Sequence, residues 1–360
     1  MTVSDRVVRR AAPLSAIAPA LILTVLTASI ALPVTHAQAQ QSVADFYKGK
    51  QMKFVIRSAP GGGYDLASRL IAAHIVHHIP SNPTIVPQNM PGAGGIQSLN
   101  YVAEIAPRDG TVLTLIGQGL PMDQSLGYTP SLKADLRSFS WIGNTGSSNM
   151  LNYLWHASPT KTMEDAKKRQ TLVGGTGAGS ATTWFPQVLN KVIGTQFKII
   201  DGYKSGSEVR LAMERGEVEG YGPTAWSSLI SASPEIVHKH LINIIVQIGL
   251  EKEKDLPDVP LLQDLAGDAD GRAILEFISK GFAVGMPVGA GPGIPADRLA
   301  TLRKAFDDTM VDPEFVAAAN KHSIDLKPMT GAELAQLIDD LLGAPQTIKD
   351  KVRSVMPERS

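Results

Sequence analysis

Ser58-Ala59-Pro60-Gly61-Gly62-Gly63-Tyr64-Asp65 is the stretch on which the reading of this chain turns. An apolar run, Met52-Lys53-Phe54-Val55-Ile56-Arg57, precedes it, and Leu66 to Ala73 continues with helical spacing. A buried strand, a glycine-rich turn and a helix start make a ready anion site. Bare backbone N–H groups face the ligand there, and the helix adds the positive end of its dipole. The plain alternative is a tight strand-to-helix turn. A Walker phosphate loop is excluded because no Gly-Lys-Ser/Thr follows, and the dinucleotide fingerprint fits no better.

A second stretch of the same kind decides between them. Leu172-Val173 begins a strand that runs into Gly174-Gly175-Thr176-Gly177-Ala178-Gly179-Ser180-Ala181-Thr182, and a helix carrying Trp184, Val188 and Val192 follows. Between the two stretches, strands alternate with helices: strand 84–86 with Pro87 at its end, a glycine turn from Asn89 to Gly95, a helix from Ile96, and strand 112–116. This alternation predicts an α/β fold with mostly parallel sheets and right-handed crossovers, whose strand ends are where ligands bind. Ser205 and Glu208, and again Thr330 and Glu333, have capping-box spacing. Ile278 to Met286 reads as a strand, and three amphipathic helices starting near Asp297, Pro313 and Thr330 finish the chain. These helices are expected to pack back on the first α/β unit. The division expected is domain 1 over 40–141 plus 281–360, and domain 2 over 142–280.

The 360 residues provide for about two domains. Arg6, Arg9 and Arg10, an apolar run from Leu14 to Val34, and Ala37-Gln38-Ala39 have the order of a secretory signal peptide over 1–39. An uncleaved anchor is the alternative; Pro19, Pro33 and the small-residue site favour cleavage. Arg9-Arg10 lacks the rest of a twin-arginine signal. Removing this segment, with its three arginines and Asp5, leaves a formal charge of −2, which offers no field for nucleic acid or an anionic membrane. There is no cysteine, so disulfides, thiolate catalysis and cysteine metal sites are excluded.

Candidate chemistry points to binding. His74, His77 and His78 sit at helical spacing without a carboxylate in register, and read as a solvated helix face; so do His238 and His240. Ser180 lacks the spacing of a nucleophile elbow. Asp65 fits the first turn of a helix, paired with Arg69 one turn on. No catalytic residue, metal site or cofactor is expected. If the two glycine loops face each other across a cleft, each holds one anionic group. Few lysines or arginines sit in either loop, so recognition rests on backbone amides, bound water and the hydroxyls of Ser58, Tyr64, Thr176, Ser180 and Tyr203.

The whole mature chain resembles the extracytoplasmic solute receptors of tripartite tricarboxylate transporters, the Bug family of TctC-like proteins. Ala59-Pro60-Gly61-Gly62-Gly63-Tyr64-Asp65 stands for the family's A-P-G-G-x-x-D, and Asn89-Met90-Pro91-Gly92-Ala93-Gly94-Gly95 for N-R-P-G-A-G-G. Gly177-Ala178-Gly179-Ser180 stands for G-x-G-S, Gly202-Tyr203-Lys204-Ser205-Gly206 for Y-K-G-G, and Leu256-Pro257-Asp258-Val259-Pro260 for L-P-D-V-P. The resemblance implies a periplasmic, monomeric binding protein of the two-domain Venus-flytrap fold. Such a protein takes a small di- or tricarboxylate, aliphatic or aromatic, in the interdomain cleft for a membrane permease. By position, the ligand-binding residues would be Ser58, Pro60, Gly61, Gly62, Tyr64 and Asp65, then Thr176, Gly177, Ala178, Gly179, Ser180 and Ala181, with Gln118, Gly119, Tyr203 and Thr224 lining the cleft. Departures are Met90 where arginine is usual, Ser205 for glycine, and the Tyr64 ring, expected to project toward the cleft. The rival functions are a receptor that presents its ligand to a sensor kinase, and an exported α/β hydrolase using Ser180.

Overall fold

In the computed structural model, residues 42–357 are described except Ser147, Ala178, Gly179, Ser323 and Asp325. The signal peptide expected over 1–39 lies outside them, as do Ala178 and Gly179 of the second loop. The strands are β1 (Gln51–Ile56), β2 (Thr84–Asn89), β3 (Val112–Leu115), β4 (Ser140–Asn144), β5 (Met150–Trp155) and β6 (Thr171–Gly174). Then come β7 (Phe197–Ile200), β8 (Gly220–Ala225), β9 (Ile242–Ile248), β10 (Pro287–Ala290) and β11 (Met329–Thr330).

They form two sheets, ordered β11-β4-β10-β3-β1-β2 and β7-β6-β8-β5-β9. In the first sheet β1 pairs parallel with β2 and β3, whereas β10 runs antiparallel to β3 and β4, and β11 to β4. In the second, β6 is parallel to β7 and β8, and β5 is antiparallel to β8 and β9. The sheets are therefore mixed, a correction to the mostly parallel sheets expected. The parallel half of each comes from strand–helix–strand units that are local in sequence. The antiparallel half comes from strands beside the crossings between sheets, whose partners are distant. The chain leaves the first sheet after Asn144 and returns to it at Pro287.

Pro87 sits inside β2 rather than at its end. This is tolerated because β2 is an edge strand whose missing donor faces no partner. The Ile278–Met286 strand is not formed. A helix runs from Ala269 to Ala283 and buries Ile274, Leu275, Phe277, Ile278 and Gly281, a three-to-four spacing that the short apolar run had disguised. Four helices, not three, close the chain. Ala296–Val311 and Pro313–Lys321 pack on the Gly63–Ile75 helix, and Gly331–Leu342 packs on β4, so these three cover the first sheet. The fourth, Gln346–Val355, instead packs on the Ala269–Ala283 and Ala181–Ile193 helices beside the second sheet.

His78 departs from the solvated face expected of it: its Nε2 lies 3.0 Å from Asp312 Oδ2, while His74 meets the Phe315 ring edge-on. Among the described residues no group of side chains is arranged to hold a metal ion, and no helix is long and apolar enough to cross a membrane.

Candidate functional site

Three loops leave the C-terminal ends of β1, β2 and β3 at one edge of the first sheet. In the β1 loop, Asp65 is buried and fully engaged. Its Oδ2 accepts from the Gly61 N–H at 2.9 Å; its Oδ1 accepts from Arg69 Nε at 2.9 Å and from Asn89 Nδ2 at 2.8 Å. The Arg69 bond above all, with the Gly61 and Asn89 bonds behind it, holds the Asp65 carboxyl down at about 2. Asn89 Nδ2 also donates to the Ser58 carbonyl at 2.9 Å, tying the β2 loop to the β1 loop. Asp65 is thus the staple of the turn. It uses up the amide of Gly61, and leaves those of Gly63 and Tyr64 at the open end of the helix without an intrahelical partner.

The second sheet repeats the device at the ends of β6 and β7. Asp201 Oδ1 accepts from the Gly177 N–H at 2.9 Å and from Thr183 Oγ1 at 2.7 Å. Gly175 lies so close beneath that a Cβ there would run into Asp201 and come within 2.6 Å of Thr183 Oγ1. Thr176 donates its N–H to Thr182 Oγ1 at 3.0 Å and its hydroxyl to Ser180 Oγ at 2.8 Å. Ser180 caps the Ala181–Ile193 helix by accepting from the Thr182 N–H at 3.3 Å. Its hydroxyl is committed to this cap and to Thr176 and Thr182, and none of these partners is a general base that would activate it.

Gln118 joins the two edges. Its N–H donates to Tyr64 Oη at 3.2 Å, and its Nε2 donates to the Phe282 carbonyl at 2.7 Å. The Phe282 ring in turn stacks on Trp184, one turn into the helix that Ser180 caps, with centroids 5.9 Å apart and 15° between planes. Tyr64 is therefore half-buried and anchored at its hydroxyl. Of the remaining candidates, Pro60, Gly62 and Gly119 are exposed on the loops, and Ala181 is half-buried at its helix start. Tyr203 follows β7 and donates its N–H to the Gly175 carbonyl at 3.3 Å; burial, then Glu217 and Glu208, push its phenol upward. Thr224 lies in β8 opposite Leu151 of β5.

Sequence reasoning missed Arg57, Asp201 and Phe282. Arg57 was legible only as the last residue of an apolar run, and Asp201 carried no signal beyond its place just after a strand. Phe282 fell within the expected strand. A cavity of about 470 Å³ shares Phe282 with the link from Gln118 to Trp184 and is otherwise lined by Asn144, Lys280, Lys327 and residues of the Gly331–Leu342 helix, among others. None of the loop candidates lines it, and Lys280 is paired with Asp340 at 2.8 Å. The glycine loops, each a strand end running into a helix start, are the candidate site carried forward.

The chain is similar to known proteins in sequence and in fold. The family model described as the tripartite tricarboxylate transporter family receptor, TctC, matches residues 68–352. Protein BugT of Bordetella pertussis is 30% identical over 124 residues, 33% of this chain and 35% of BugT. The chain thus matches about a third of the length of this curated relative. A TctC solute-binding protein from Polaromonas is similar with a TM-score of 0.69 at 16% identity, covering 86% of this chain and 99% of that one. MatC from Rhodopseudomonas palustris, solved with bound malate, gives a TM-score of 0.53 at 22% identity, covering 84% and 98%. At these identities the structural likeness establishes a two-domain α/β fold.

Proposed function

The chain belongs to the tripartite tricarboxylate transporter receptor family, and from that premise we propose that it captures a small carboxylate between its two glycine loops and delivers it to membrane permease subunits. The observation that carries this reading is the repeated loop. A strand runs into a glycine turn, an aspartate ties down one glycine amide (Gly61 by Asp65, Gly177 by Asp201), and a helix start follows. Each tie holds one glycine of its loop in place before a ligand arrives, which lowers the ordering entropy lost on binding. Gln118, Phe282 and Trp184 link the two loops, so a ligand held by both favours one relative position of the sheets. The malate in MatC supports the ligand class. Export through the 1–39 segment and a monomeric state belong to the same proposal, as does the absence of turnover. Delivery to a sensor kinase would use the same site; the genomic neighbour of the coding sequence distinguishes the two.

Thermal unfolding with a panel of mono-, di- and tricarboxylates tests this. A ligand at 100 times its Kd stabilises the folded state by about 2.7 kcal/mol, or roughly 5–11 °C at about 2–4 °C per kcal/mol. At least one compound is expected to give such an upshift and to be recovered unchanged after long incubation. A flat panel refutes the carboxylate reading, and product formation refutes the receptor reading.

A further inference from the structure

Arg57 occupies the middle of the first edge. It follows β1, and its guanidinium lies between all three loops. Nη2 donates to the Gly94 carbonyl of the β2 loop, and Cζ stands 4.5 Å from the centre of the Tyr64 ring. The backbone at Gly117, after β3, passes so close that a Cβ there would sit 2.8 Å from Cζ and 3.0 Å from both terminal nitrogens. A Cβ at Gly95 would likewise collide with the side chain. Two residues without side chains therefore make room for this one cation.

Among the described residues no carboxylate pairs with it, and Asp65, the nearest acid in sequence, is spent on Arg69, Asn89 and Gly61. Its Nε is buried with no hydrogen-bond partner, and so is the Oγ of Ser58 beside it. A guanidinium with one face against an aromatic ring and a buried N–H unsatisfied costs free energy unless something completes it. An arginine fork matches a carboxylate in its own plane, with two parallel hydrogen bonds. The Tyr64 ring covers a face and leaves the edge, which is the direction such a pair needs.

We propose that Arg57 is the residue that reads the ligand's charge: one carboxylate of the ligand pairs with its guanidinium, with Ser58 Oγ as a second donor. The inference rests on the carboxylate reading above and narrows it. The first loop then selects an anion by a fixed charge rather than by backbone amides alone. An uncharged amide analogue of the same shape is refused.

Calorimetry on the full mature chain, with malate, adipate, benzoate and adipamide as probes at low salt, tests it against Arg57→Gln, Arg57→Lys and Ser58→Ala. At least one acid is expected to bind the unmutated protein, and adipamide is not. Arg57→Gln is expected to weaken the acid by at least ~100-fold, the loss of a charge-paired fork. Arg57→Lys keeps the charge without the fork and loses roughly tenfold; Ser58→Ala loses roughly fivefold. In the unmutated protein the Arg57 Nε–H resonance is expected to move on saturation with the acid, a reading that stands even if Arg57→Gln fails to fold. If acids bind the unmutated protein and Arg57→Gln alike, or the Nε–H resonance does not move, the role of Arg57 is overturned while the carboxylate reading survives. If no acid binds the unmutated protein, both fall.

Discussion

Replacing Asp65 by asparagine tests whether the first loop is shaped by its own carboxylate. The side chain keeps its size, but one oxygen becomes a donor. With the remaining oxygen toward Arg69 and Asn89, the new NH2 meets the Gly61 N–H, which loses its acceptor. One buried amide left unpaired costs about 1–3 kcal/mol, and the weakened bonds to Arg69 and Asn89 bring the total to about 2–4 kcal/mol. The charge contribution is separable by pH. The carboxyl is held from 3.8 down to about 2, which linkage converts to about 2 kcal/mol at neutral pH. Arg69 is 44% exposed, so solvent screening trims this to about 1–2 kcal/mol. Because the folded-state value is the lower one, this stability is complete above the unfolded value and is lost as pH falls toward 2. The Tm of Asp65→Asn is therefore expected roughly 4–16 °C below that of the unmutated protein at pH 7, at about 2–4 °C per kcal/mol. The gap should narrow steadily between pH 5 and pH 3. Differential scanning fluorimetry across that range measures it. A gap that is absent at pH 7, or that holds its full size at pH 3, refutes the account of Asp65 as a charged staple.

Three further outcomes are expected. Gly175→Ala places a Cβ against Asp201 and Thr183, which breaks the second staple at a cost of about 1–3 kcal/mol; calorimetry should show weaker carboxylate binding in a folded protein with lowered Tm. Gly117→Ala pushes on the movable end of Arg57 rather than on backbone, so affinity is expected to fall about tenfold with a Tm change under about 3 °C; an unchanged affinity counts against the placement of the guanidinium. Protein recovered from the cell envelope should lack about the first 39 residues by intact mass, as the Ala37-Gln38-Ala39 pattern implies; a full-length chain in the membrane fraction would identify an anchor.

The sequence by itself determined the local units. The strand, glycine turn and helix start at 51–75 and again at 171–193 were legible because periodicity, glycine and capping are short-range properties. So were the caps: Thr330 with Glu333 closes as a box, whereas Ser205 accepts from the Glu208 N–H while the Glu208 carboxylate accepts from the Lys204 N–H instead. The Asp65–Arg69 pair was legible at one helical turn. Only the tertiary structure decided what depends on distant partners. Ile278 to Ala283 is helical because its apolar residues meet a core that brings together elements far apart in sequence. β10 and β11 run antiparallel because the chain returns to the first sheet after crossing it. The sequence suggested that glycine amides would hold the ligand, yet the Gly61 and Gly177 amides are taken by Asp65 and by Asp201, the latter 24 residues away. Arg57 carried no local mark at all. Its meaning comes from Tyr64, Gly94 and Gly117 converging on it from three loops, and from Asp65 being engaged elsewhere, which no window of sequence contains.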